Sequence, residues 1–71
     1  MEDSFHELDV VAVTADLPEH RLARGQVGTI VHVHAPDTFE VEFVDAQGHT
    51  YCLTTLRASQ LLRLRYEPVA A

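Results

Sequence analysis

The chain has no lysine and no tryptophan, and only one cysteine, three glycines and three prolines in 71 residues. Without lysine, every fixed cation is an arginine; five of them face eleven acids, for a net charge of −6. A field of that sign repels phosphate backbones, so nucleic acid is not an expected ligand. A single thiol, Cys52, leaves no internal disulfide and no multi-cysteine zinc site, and it fits a reducing compartment. Apolar runs are short, none near the roughly 18 residues that cross a bilayer, so no membrane association is expected. The start, Met1-Glu2-Asp3-Ser4-Phe5-His6, is acidic where an export signal is basic, and a cytoplasmic location is the expectation. A chain of this length is expected to form one domain that buries about 60% of its unfolded surface. Its core should span about residues 7 to 65, with 1–4 and 66–71 frayed.

What is present is turn chemistry between short β-branched runs. Asp9 to Thr14 reads as a first strand. Ala15 to Gly25 is too polar and irregular for a second, and reads as a long loop packed down by Leu17 and Leu22. Gly25 and Gly28 bracket the approach to a strand over Val27 to Ala35, where glycine permits a positive φ or a bulge. Pro36-Asp37-Thr38 turns the chain into Phe39 to Asp45. Asp45-Ala46-Gln47-Gly48 places Asp and Gly at the first and fourth positions of a type I turn, leading into a three-residue hairpin loop. A fourth strand is expected from His49 to Leu56, a helical turn over Arg57 to Gln60, and a last strand from Leu61 to Arg65.

Pairing Asp45 with His49 sets Phe43 opposite Tyr51 and Val41 opposite Leu53 on an inward face. Glu42 then lies beside Cys52, and Glu40 beside Thr54, on the outward one. A three-residue loop at Pro36 to Thr38 sets Val33 by Val41 and Val31 by Phe43, with His34 and His32 outside. The expected outer face carries His32, Glu42 and Cys52 in one row, His34, Glu40 and Thr54 in a second, and Ile30, Val44 and Thr50 in a third. Burial specifies such a register, because a one-residue slip inverts the faces.

Five short strands with a long first loop and a helical turn before the last make an all-β, small SH3-like barrel the expected fold. Glu7 to Val11, Leu22 to Val31, Phe39 to Asp45 and Leu56 to Leu61 resemble a family of small uncharacterised bacterial proteins, a domain of unknown function, over residues 5 to 64. The resemblance implies a free-standing SH3-like barrel with no established catalytic residues. The Gly25-Gln26-Val27-Gly28-Thr29-Ile30-Val31 stretch is also similar to the corresponding strand of ribosomal-type barrels, which usually carry a basic surface that this chain lacks. It is similar as well to small barrels serving photosynthetic electron transport. Fold likeness alone transfers no function.

His32 and His34 are two apart on a strand and share a face, about 7 Å apart. With Glu42 and Cys52 they supply zinc or copper ligand types, so the row His32, Glu42 and Cys52 is a candidate metal set. A flat row makes ligands diverge, however, and the same residues serve equally as solvated cross-strand partners or as a pH-responsive surface. Cys52 and His49 are three apart on a strand and point to opposite faces, which gives no thiol–base pair. Ser4 and Ser59 have no base held at a fixed distance. The glycines lack the setting of a phosphate loop, and Glu40 and Glu42 lack an apolar pocket that would separate their acidities. No catalytic residue and no cofactor is therefore expected.

Three surfaces remain for recognition: the His/Glu face (His32, His34, Glu40, Glu42), the acidic loop (Asp16, Glu19), and the free barrel edge with Tyr66 and the exposed alternate leucines among Leu61, Leu62 and Leu64. The expectation is a non-catalytic module that binds a more basic protein, as an inhibitory, antitoxin-like or accessory subunit. A homodimer through the barrel edge and a metal- or small-ligand-binding accessory domain are the alternatives.

Overall fold

The computed structural model describes residues 4–65. Strands β1 (Val10–Val13), β2 (Val27–Ala35), β3 (Thr38–Val44), β4 (Thr50–Arg57) and β5 (Leu61–Arg63) form one antiparallel sheet in the order β4-β3-β2-β1-β5. Single 3-10 turns occupy Pro18–His20, in the long first connection, and Ala58–Gln60, just before β5. β4 and β5 lie at opposite ends of the sheet yet are joined by that one turn, so the sheet curls round on itself while β4 and β5 remain unpaired with each other. This is the expected all-β, SH3-like barrel, helical turn included. Of the ends expected to fray, 1–4 and 66–71, all but Ser4 lie outside the described residues.

The core follows from strict alternation in β3. Phe39, Val41 and Phe43 are each 0% exposed, while Glu40 and Glu42 between them face outward. Val11, Val13, Ile30, Leu56 and Leu61 join from the other strands, and the Phe5 ring packs 5.2 Å from that of Phe39. No polar or charged residue is buried among the described residues. Truncation of a phenylalanine in such a core costs about 3–5 kcal/mol, a large part of the stability of a domain this small.

The long connection is pinned as expected: Leu17 and Leu22 are buried and bridge to each other, with Leu17 N donating to Leu22 O at 2.8 Å. The Asp45 turn also forms as read. Asp45 N donates to His49 O at 2.9 Å, Gly48 adopts a φ of 85°, and Asp45 Oδ1 accepts from the amides of Gln47 and His49.

Register departs from expectation one residue later. Val44 pairs with Thr50, but Phe43 pairs with Cys52, so Tyr51 is an extra residue bulged out of β4. Every pair beyond it shifts by one: Glu42 faces Leu53, Val41 faces Thr54, Glu40 faces Thr55 and Phe39 faces Leu56. Cys52 and Thr54 therefore turn toward the inside, and Leu53 turns out, 56% exposed. The unbulged register would have buried Tyr51 and Leu53 and expelled Leu56, which is 1% exposed here. The bulge reconciles the Asp45 turn with burial of Leu56.

β2 is adjusted in the same way. The loop is Pro36-Asp37 alone, with Ala35 paired to Thr38, and two further shifts carry the register to His32 opposite Glu40 and Ile30 opposite Val41. Ile30, expected outside, is a fully buried core residue, whereas Val31 and Val33 are a third or more exposed. Bulges bend a strand and increase its twist, which is how one continuous β2 serves both halves of the barrel.

Gly28 shows how closely the layers meet. It pairs with Val11, and a Cβ built on it would lie 2.9 Å from the Glu42 carbonyl oxygen and 2.9 Å from the Phe43 ring. Neither neighbour is the free end of a flexible side chain. Gly28→Ala is expected to destabilise the domain by about 1–3 kcal/mol, read as a lower urea midpoint with an unchanged slope; a parent-like midpoint would show that the β2–β3 approach is looser than described.

Candidate functional site on the outer face of β2, β3 and β4

Because the odd-numbered residues of β3 are consumed by the core, its even-numbered ones must project outward. Glu40 is the centre of what gathers there. Its Oε1 lies 2.9 Å from His34 Nε2 and accepts from Thr55 Oγ1 at 3.3 Å. His32, paired with Glu40 across the strands, sets its ring against His34 edge to face, 4.7 Å between centroids. His32 Nδ1 in turn lies 3.9 Å from Glu7 Oε2. Glu42, one step along β3, accepts from the Thr50 hydroxyl.

The expected residues His32, His34 and Glu40 are thus brought together, and Glu42 is on the same face. Two contributors escaped the sequence reading. Thr55 takes the place assigned to Thr54, because of the Tyr51 bulge. Glu7 reaches His32 because Leu8 N donates to Ile30 O at 2.7 Å, drawing the segment before β1 along β2. A non-glycine φ of 76° at Leu8 accompanies that bend, and no local pattern in the sequence announces it.

The candidate metal row is not assembled. Cys52 shares the side of β4 that faces Phe43, opposite to the side of Glu42, so His32, Glu42 and Cys52 do not lie in line. Among the described residues no three histidine, cysteine, aspartate or glutamate side chains converge as a metal site. The row Ile30, Val44 and Thr50 is likewise broken by the burial of Ile30.

Cys52 instead meets the long loop. Its sulfur donates to the His20 carbonyl at 3.7 Å, and Thr54 Oγ1 lies 2.9 Å from His20 Nδ1, so the Pro18–His20 turn is fastened to the inner side of β4. His49, as expected, is apart from Cys52 and lies 3.8 Å from Asp45. The acidic loop splits in role: Asp16 Oδ1 accepts from the Arg24 amide at 2.9 Å and braces the loop, while Glu19 stands exposed on the 3-10 turn. Of the leucines placed at the edge, Leu62 is exposed but Leu61 is core. Tyr66 lies outside the described residues.

Glu40 is held below the ordinary carboxylate value, first by its hydrogen bond with His34; partial burial pushes the other way, and the Thr55 hydroxyl and the charges of His34 and His32 add to the lowering. A lowered native pKa contributes stability that is present above the unfolded glutamate value and is lost as pH falls through the native one. Carbon-detected NMR titration should therefore find the Glu40 midpoint below that of a flexible glutamate, and His34→Ala should raise it. An unchanged midpoint in that variant would remove His34 as the cause.

No helix among the described residues is long and apolar enough to cross a membrane. No curated protein and no solved structure matches the chain. Residues 7–63 match the family model described as Domain of unknown function (DUF4926), and the chain belongs to that family.

Proposed function

We propose that this chain is a non-catalytic, acidic protein-binding module, the inhibitory, antitoxin-like or accessory subunit of a more basic partner. The observation that carries the reading is the outer face of β2, β3 and β4, where His32, His34, Glu40 and Glu42 stand on a rigid sheet with Glu7 at their flank. An acidic patch on a chain of net charge −6 steers a cationic surface toward it and disfavours phosphate and anionic lipid. A partner protein, not nucleic acid or a membrane, is the consistent occupant. The single thiol supports a cytoplasmic setting. The family is read as bacterial and as sharing the SH3-like barrel.

The reading is tested by capture from a native lysate with the parent chain and with the Glu40→Lys/Glu42→Lys variant in parallel. The parent should retain one stoichiometric basic protein, with affinity falling as salt rises. The charge-reversed variant should bind it about tenfold or more weakly. Capture of nothing stoichiometric, or capture indifferent to both substitutions, would contradict the proposal.

A further inference from the structure

The protein-binding reading leaves open how a partner would be held, and the sheet itself supplies a device. β4 is eight residues long and terminates the sheet order, so one of its two backbone edges has no strand beside it. Among the described residues, the contacts of β4 with the long loop run through the inward side chains of Cys52 and Thr54, and no backbone hydrogen bond joins its outer edge to another segment. Exposed edges are ordinarily blunted by lysine, proline or inward-pointing charge. β4, Thr50-Tyr51-Cys52-Leu53-Thr54-Thr55-Leu56-Arg57, has none of these. Its one irregularity, the Tyr51 bulge, lies near its start and leaves Cys52–Arg57 regular.

We propose that β4 is a receptor strand: an extended, basic segment of the partner adds to its free edge as a sixth strand. The proposal rests on the protein-binding reading and names the partner's chemistry. The outward side chains next to the incoming strand would be Leu53 and Thr55, both uncharged, and directly behind them on β3 stand Glu42 and Glu40. Strands are about 4.8 Å apart, so the incoming backbone lies about 10 Å from that of β3. A lysine or arginine reaches across this distance over a short residue such as Thr55. Cations at alternate positions of the partner strand would meet Glu40 and Glu42, while its backbone satisfies the amides and carbonyls of β4. Arg57, outward at the far end and paired with Thr38, disfavours a cation there and so helps to fix register. A second copy of this chain is the poorer occupant. Its β4 offers no cation except Arg57, and it would bring its own Glu40 and Glu42 to the joint.

The test uses the full chain, isotope-labelled, titrated with a short synthetic peptide of alternating lysine and valine. Two further peptides carry N-methyl groups on the lysines only or on the valines only. Backbone N–H groups of a strand point alternately to either side, so one N-methylated peptide should lose binding and the other keep it. Saturable shifts should concentrate on the amides of Cys52–Arg57, and Glu40→Gln/Glu42→Gln should weaken binding by about tenfold. Equal binding of the two N-methylated peptides would reduce the effect to charge adsorption and overturn strand addition. So would an absence of binding, shifts centred away from β4, or concentration-dependent protection of β4 amides in the chain alone, the mark of a second copy. If the peptides fail while a native partner still binds in an Glu40- and Glu42-dependent way, strand addition falls and the module reading stands.

Discussion

The burial of Phe39, Val41 and Phe43 on one side of β3 is the constraint on which the rest depends. Three large or branched side chains at alternate positions commit the strand to a face, and a slip of one residue would exchange all three for Glu40 and Glu42. That exchange would bury two carboxylates without partners, so the register of the central strand is set by energies well above those of any turn or surface pair. The neighbouring strands adapt to β3, which is why the irregularities fall on β2 and β4.

That hierarchy explains what could be read from the residues alone. Alternation in β3, the Asp45 turn, the Leu17–Leu22 clasp and the helical turn before β5 are each written in a few adjacent residues, and each forms as expected. The bulges are not local in this sense. Tyr51 is displaced because a core position further along β4 is better filled by Leu56, a comparison between places far apart in the chain. Extending a hairpin register outward from its turn assumes that no residue is skipped, and here one is skipped in β4 and two in β2. The consequences are specific: Ile30 goes into the core, Cys52 turns inward, and Leu53 comes to the surface.

The candidate site inherits the same division. His32, His34, Glu40 and Glu42 follow from alternation and were legible, whereas Thr55 and Glu7 depend on the Tyr51 bulge and on the path of the segment ahead of β1. The metal row fails for the reason that Thr55 succeeds, since both turn on which side of β4 each residue occupies. Charge and edge belong together in the resulting picture. The acidic side chains stand one strand in from a long edge that has no charged guard except Arg57, and the apolar core behind them holds the sheet rigid enough to present both.

The central claim is that the Tyr51 bulge turns Cys52 in and Leu53 out, leaving Glu42 on a face without the thiol. Thiol reactivity measures this directly, by comparing the native chain with a Leu53→Cys/Cys52→Ala variant against a soluble disulfide reagent. The account predicts that Cys52 reacts at least about tenfold more slowly than the thiol at position 53, as a side chain released mainly by local opening should. Fast reaction at Cys52 with protection at position 53 would restore the unbulged register, return the thiol to the side of Glu42 and His32, and contradict the account.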